Sequence, residues 1–176
     1  MQRIRGMLDT NGMSNALTIR PARPADDDAI WAILEPTFRA GETYPIPRDI
    51  DRAGALGYWR TPGNTVFVAE REGRIVGTYY MKANNRGGGA HVANCGYMVA
   101  ADAMGGGIAR AMCMHSLDEA RARGFTAMQF NFVVASNARA VKLWQACGFE
   151  IVGTLPSAFM HPSRGAVDAY VMFRML

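Results

Sequence analysis

The sequence predicts a mixed α/β domain, in which a central sheet carries helices on both faces. Three observations predict it. Apolar residues recur with period two in short segments and with the helical period in the segments between them. One strand–helix–strand unit, from His91 to Val134, requires a parallel crossover among strands otherwise joined as hairpins. Finally, 176 residues of which 49% are hydrophobic and 19% charged have the length and apolar content of one domain with a sizeable core.

The elements follow in order. Leu17 to Arg20 alternates and is stopped by Pro21, a short first strand. Pro24 and the acids Asp26, Asp27 and Asp28 are helix start signals. Ile30, Ile33, Leu34 and Phe38 then recur at helical spacing up to Gly41. Tyr44, Pro45 and Pro47 make Glu42 to Asp51 a loop, with a second short helix over Ile50 to Trp59. Period two returns over Thr65 to Glu70 and, after a turn at Glu72 and Gly73, over Ile75 to Met81, a hairpin. Gly87, Gly88 and Gly89 form a flexible connection into a strand over His91 to Val99. Ile108, Ala111, Met112, Leu117 and Ala120 trace a helix ended by Gly124, and Met128 to Val134 is an apolar strand. Asn137 opens a further helix that Gly148 closes. Glu150 to Leu155 and Val167 to Met175 are the terminal strands. Residues 16–176 thus form a single domain without repeat or linker, and residues 1–15 a flexible tail; ordered-looking sequence begins just after Met13, an alternative initiator.

Composition excludes several classes. The net charge of +4 comes from basic residues spread along the chain and mixed with acids, so a nucleic-acid partner is not expected. Cys95, Cys113 and Cys147 are odd in number, far apart and free of any CxxC pair, which predicts buried reduced thiols and a cytoplasmic protein. His91, His115 and His161 lack metal-ligand spacing, so no metal is expected. No apolar run approaches the ~20 residues that span a bilayer, so no membrane partner is expected.

The segment that carries chemistry is Val99-Ala-Ala-Asp-Ala-Met-Gly-Gly-Gly-Ile-Ala-Arg110, a strand followed by a glycine-rich turn at a helix start. Gly105, Gly106 and Gly107 let backbone N–H groups approach phosphate oxygens, and the first helical turn adds unpaired donors and its positive dipole end. No GKS or GKT follows, and GxGxxG cannot be matched with a distant ribose-binding acid, which excludes a mononucleotide P-loop and a Rossmann site. Alone, the triple glycine fits a tight strand-to-helix turn as well as a phosphate cradle. A second constellation is Ser136-Asn-Ala-Arg-Ala-Val-Lys-Leu-Trp-Gln-Ala-Cys-Gly-Phe149, after the next strand.

Together the two segments resemble the acetyl-CoA signature of the GCN5-related N-acetyltransferases (GNATs): Q/R-x-x-G-x-G/A, then N-x-x-A-x-x-L-Y/W-x-x-x-G-F. Met104, Gly107 and Ala109 match the first, with Met104 in place of Gln or Arg; Asn137, Ala140, Leu143, Trp144, Gly148 and Phe149 match the second. The resemblance implies the GNAT fold, a central, mostly antiparallel mixed sheet of about seven strands splayed between the fourth and fifth. It implies acetyl-CoA as cosubstrate and a small-molecule amine as acceptor. It also implies that Tyr97, Met98 and Val99 offer strand amides to the pantetheine arm, with Met98 N–H holding the developing oxyanion. Met104, Gly105, Gly106, Gly107, Ile108, Ala109 and Arg110 would take the pyrophosphate, and Asn137, Ala140 and Trp144 would border the cofactor arm. Ordinary strand pairing and a plain helix N-cap at Asn137 are the structural alternatives. Pairing of two copies through terminal strands is a further expectation from the fold.

Trp144 stands where many members have a Tyr that can protonate the thiolate, and indole N–H is no practical acid. The strand before the glycines has no Glu to serve as base, which leaves water, His91, His161 or Tyr44. That strand does carry Asn94, and its parallel neighbour carries Asn131, two amides expected to be buried in otherwise apolar β sequence and so to need partners. They either brace the splayed strands or align the acceptor. The pattern His91-Val-x-Asn94-Cys-Gly-Tyr-x-Val with Phe-Asn-x-Val is similar to fungal acetyltransferases acting on proline analogues such as azetidine-2-carboxylate. That likeness puts Asn94 and Asn131 in the acceptor site, with Asn137 close to the CoA sulfur. The fold itself implies an acceptor pocket at the loop that carries Tyr44, Pro45 and Arg48, with Phe159 to Arg164 as its other wall; a solvated loop is the structural alternative. Two other functions fit the same sequence, a non-catalytic acyl-CoA sensor and a protein or peptide N-acetyltransferase.

Overall fold

The computed structural model describes residues 16–176; the expected tail and Met13 lie outside the described residues. The strands are β1 (Thr18–Pro21), β2 (Thr65–Arg71), β3 (Arg74–Ala83), β4 (Val92–Val99), β5 (Ala127–Val134), β6 (Glu150–His161) and β7 (Gly165–Met175). The helices are α1 (Asp27–Ala40), α2 (Arg52–Trp59), α3 (Ile108–Ala122) and α4 (Ala138–Ala146). Among the described residues the strands form one seven-stranded sheet in the order β1-β2-β3-β4-β5-β7-β6, in which only β4 and β5 run parallel. This is the expected mixed, mostly antiparallel architecture with its single crossover.

Two cores lie on opposite faces of the sheet. On one, Ile30, Leu34 and Phe38 of α1 and Ala55 and Trp59 of α2 pack on Val68, Tyr80 and Met98. On the other, Ile108, Met112 and Leu117 of α3 and Trp144 of α4 pack on Tyr79, Cys95, Met128 and Phe130. Trp59 is fully buried and its indole N–H donates to Thr78 Oγ1 at 3.0 Å, while the Thr78 hydroxyl donates to Phe67 O at 2.8 Å. The three cysteines are free and buried, as expected.

Local chemistry fixes the ends of the elements. Pro24–Asp26 is a turn of 3-10 helix ahead of α1, because the Asp26 carboxylate accepts from Arg23 N–H at 2.7 Å and from the Arg20 guanidinium at 2.8 and 3.0 Å. Those bonds hold Asp26 down to about 2, the Arg20 hydrogen bond contributing most. The second helix starts at Arg52 rather than Ile50, since the Asp51 side chain caps it by accepting from Gly54 N–H at 2.7 Å. Gly87–Gly89, expected as a flexible connection, is a further 3-10 turn.

The largest departure is the last hairpin. β6 runs on to His161 rather than ending at Leu155. Its register shifts between Leu155 and Phe159, where Ser157 takes φ 50° and its N–H donates to Asp168 Oδ1 at 2.8 Å. An irregularity of this kind, in which three residues of β6 face Asp168 alone, hides a continuous strand from a period-two reading.

Candidate active site

Where β4 and β5 part, the sheet opens. Their parallel ladder holds only at Val92–Ala127 and Ala93–Met128. Beyond it, β5 carries a bulge: Phe130 pairs with Met172 and Val133 with Tyr170, so Asn131 and Phe132 oppose the single Val171. An extra residue bends the strand that bears it, and the described β4–β5 pairs end at Met128, short of the bulge.

The backbone of β4 then has one free edge. Asn84 N–H donates to Val92 O and Ala100 N–H to Val76 O, bracketing an unshifted register between β3 and β4. Antiparallel alternation turns the amides of Asn94, Gly96 and Met98 into β3 and those of Cys95, Tyr97 and Val99 toward the gap. The oxyanion donor expected at Met98 is therefore corrected. Its N–H lies in the pair with Thr78, and its side chain is buried in the core beneath α1 and α2. Tyr97 and Val99 are the residues whose amides face the opening. The Tyr97 carbonyl is already engaged, accepting from Tyr44 OH at 3.1 Å.

Two cavities meet at this opening. One of ≈ 500 Å³ reaches from the loop after α1, at Thr43 and Tyr44, past Tyr80, Lys82, Asn94 and Asn131 to Trp144. The other, of ≈ 170 Å³, lies against Gly105, Ile108, Ala109, Arg139 and Leu143. Tyr97, Val99, Met104, Asn137, Ala140 and Trp144 line both, so they form the passage. Gly106, Gly107 and Arg110, expected in the phosphate cradle, line neither cavity, and Arg110 is exposed.

The glycine loop nevertheless has the backbone of an anion cradle. Gly105 has φ 89°, and Gly107, the residue before α3, has φ 74°, a left-handed conformation that a side chain resists. Two cations missed in the sequence flank it. Arg71, at the end of β2, reaches Gly106 O at 3.4 Å, and its Nε is buried with no partner among the described residues. A Cβ built on Gly105 would sit 3.8 Å from the Arg139 guanidinium. Arg71 is distant in sequence from the glycines and gave no signal there; Arg139 lies inside the second motif, two residues after Asn137.

Hydrogen-bond direction settles the amides. Asn137 Oδ1 accepts from Ala140 N–H at 3.2 Å, so the side chain caps α4 and still leaves its NH2 free for a ligand. Asn94 must point its NH2 at Gln129 O, 2.8 Å away, because a carbonyl only accepts; its Oδ1, without a hydrogen bond from the described residues, is left as an acceptor. Asn131 is not the buried amide expected. It is exposed at the bulge, where its Oδ1 accepts from Gln129 Nε2 and its Nδ2 donates to Asn84 Oδ1, both at 2.7 Å. Bracing and lining the cavity are thus compatible roles for both residues.

Proton carriers are scarce. His91 is exposed, and His161, buried at the end of β6, accepts from Ser163 N–H at 3.2 Å; neither lines a cavity, and nor does the expected wall Phe159 to Arg164. Phe159 instead packs behind Phe132, with ring centres 6.2 Å apart. Tyr44 does line the larger cavity, but burial raises its phenol far above the ordinary value. Burial likewise pushes the Cys95 thiol up to about 12. Ser116 donates to Cys113 O at 2.7 Å, so Tyr97 OH donates to Ser116 Oγ at 2.6 Å and its proton is committed. No carboxylate lines either cavity among the described residues.

Comparison with known proteins gives one consistent result. The profile of the "Acetyltransferase (GNAT) family" matches residues 28–149. N-acetyltransferase aca1 of the fission yeast Schizosaccharomyces pombe is 30% identical over 131 residues, covering 74% of this chain and 56% of the relative. The chain spans about half the length of the curated relatives it matches. A GCN5-related N-acetyltransferase from Kribbella flavida superposes with a TM-score of 0.87 at 43% identity, covering 92% of this chain and 98% of that one. The fold alone is shared with yncA of Salmonella typhimurium, solved with its cofactor acetyl-CoA (TM-score 0.80, 24% identity, 92% and 94% covered). Among the described residues no helix is long and apolar enough to cross a membrane.

Proposed function

This chain belongs to the GNAT acetyltransferase family, and from that premise we propose that it uses acetyl-CoA to acetylate the amine of a small molecule of amino-acid or proline-like size. One observation carries the reading. The smaller cavity, beside the glycine loop, and the larger one, beside Asn94, share their lining at Tyr97, Val99, Asn137 and Trp144, so a donor on one side of the sheet meets an acceptor on the other.

The residues present fit the cosubstrate. The unpaired strand edge at Tyr97 and Val99 suits an arm that hydrogen-bonds like an added strand. The left-handed glycines at the start of α3, with Arg71 and Arg139 beside them, suit a pyrophosphate. Asn137 NH2 is free to bond the arm. When bound, acetyl-CoA supplies a thioester, whose acetyl group is the one transferred.

The chain's own groups do the rest. Asn94 Oδ1 accepts from the acceptor amine and aims its lone pair across the gap, a positioning role. The gap-facing amide of Tyr97 or Val99 replaces Met98 as the oxyanion donor. With no carboxylate or histidine on the lining among the described residues, the amine loses its proton to water and the thiolate regains one from water.

The test is release of free CoA thiol from acetyl-CoA with separate panels of free amino acids and proline analogues, aminoglycosides, polyamines and lysine peptides. The expected result is turnover in the first panel, above the others. Failure to bind acetyl-CoA contradicts the transferase reading, and tight binding without release in any panel favours a sensor.

A further inference from the structure

Among the described residues, the larger cavity holds one charged side chain and no opposite charge to pair with it. Among the described residues that line it, Lys82 is the one acidic or basic side chain; no Asp, Glu, His or Arg joins it. The Lys82 ammonium makes no ion pair or hydrogen bond among the described residues, and it lies 6.0 Å from the centre of the Tyr80 ring. Glu42, next in the chain to the lining residue Thr43, is exposed and does not reach the cavity.

Lys82 also stands beside the amide that receives the acceptor. Lys82 and Asn94 are Cα partners in the β3–β4 ladder, in a hydrogen-bonded pair, where Cα atoms lie about 5.5 Å apart and side chains share one face. Tyr80, two residues along β3, is on that face too, opposite Gly96. A Cβ on Gly96 would sit 2.6 Å from the Tyr80 ring, so the glycine is what lets the ring lie against β4. A half-buried cation, a free amide oxygen and a phenol wall thus occupy one side of one cavity.

We propose that Lys82 binds the carboxylate of the acceptor while Asn94 Oδ1 takes an N–H of its amine, so that the acceptor is an amino or imino acid with the two groups a few bonds apart. This rests on the transferase reading and narrows it. A cleft with one sign of charge concentrates ligands of the other sign. A polyamine or aminoglycoside would bring several cations to a cavity that offers them no acid. Pairing with Lys82 also does chemical work. In a free amino acid the carboxylate holds the neighbouring ammonium protonated; an ion pair with Lys82 cancels that attraction and favours the neutral amine. That matters in a site whose lining has no base.

The experiment compares three acceptors that differ only in the acidic group: a cyclic imino acid, its carboxamide and the ring amine without either. Steady-state thiol release is measured with wild type, Lys82→Gln and Lys82→Glu, and calorimetry in the presence of CoA gives the binding of each acceptor. Wild type is expected to prefer the acid at least tenfold in kcat/KM. Lys82→Gln should raise KM for the acid at least tenfold, leave the binding of acetyl-CoA unchanged and move the acidic limb of the pH profile to higher pH. Lys82→Glu should reverse the preference in favour of the ring amine. Equal use of acid and carboxamide by wild type, or an unchanged ratio in Lys82→Gln, would overturn the assignment. If the acid binds through Lys82 but no thiol is released, the assignment stands and the transferase reading falls; if neither occurs, both fall.

Discussion

The two sides of the gap are built on different principles. In the proposed reading, recognition on the α3–α4 side rests mainly on backbone, the amides of Tyr97 and Val99, the glycine turn and a helix start, with Asn137, Arg139 and the distant Arg71 as its side-chain contributions. On the α1–α2 side it rests on side chains brought from afar: Tyr44 from a loop, Tyr58 from α2, Tyr80 and Lys82 from β3, Asn94 from β4 and Asn131 from the bulge of β5. Backbone recognition tolerates side-chain change and conserves its ligand. Side-chain recognition allows the acceptor to differ while the fold persists.

The strongest way to break that division is from beneath the acceptor side. Trp59→Ala removes a fully buried ring and the donor to Thr78, and it should cost about 3–5 kcal/mol of unfolding free energy in denaturant titration. On the cofactor side, Gly107→Val forces a branched side chain into a left-handed residue, a strain of about 1–3 kcal/mol. Calorimetry should show weaker acetyl-CoA binding at temperatures where the variant is still folded; unaltered affinity would remove the loop from the cradle.

A subtler change sharpens the boundary between the sides. Tyr44→Phe deletes the bond to the Tyr97 carbonyl, worth about 0.5–1.5 kcal/mol, and should affect acceptor KM more than acetyl-CoA affinity. The remaining effect is of pH and lies outside the gap. Asp26, held down to about 2 by Arg20 at the entrance to α1, contributes stability that is present above the ordinary carboxylate value of ~4 and is lost as pH falls toward 2. Melting curves of Arg20→Ala should lack that part of the acid loss, whereas the acid limb would be identical in both proteins if the pair were idle.

The contrast also explains what the sequence made legible. Strand and helix periods carried the element order, the crossover and the two faces, and the paired motifs carried the glycine turn and Asn137, because those signals are local. What eluded it depends on register. Met98 and Tyr97 are neighbours, and only the ladder with β3 decides whose amide faces the gap. Asn131 reads as buried until the bulge turns it out, and β6 reads as ending at Leu155 because its bulges break the alternation. Lys82, at the end of an ordinary strand, has meaning only through its partner Asn94 and the absence of acids around it, and Arg71 only through the loop it reaches.

The division of labour is tested most directly at Asn94, through acetyl-CoA binding and thiol release measured side by side for wild type and Asn94→Ala. The account predicts that turnover of the preferred acceptor falls by about two orders of magnitude, as loss of a positioning contact can cause, while the acetyl-CoA dissociation constant stays within a factor of two or so. A variant that loses acetyl-CoA binding in proportion to turnover, or that keeps full turnover, would contradict it.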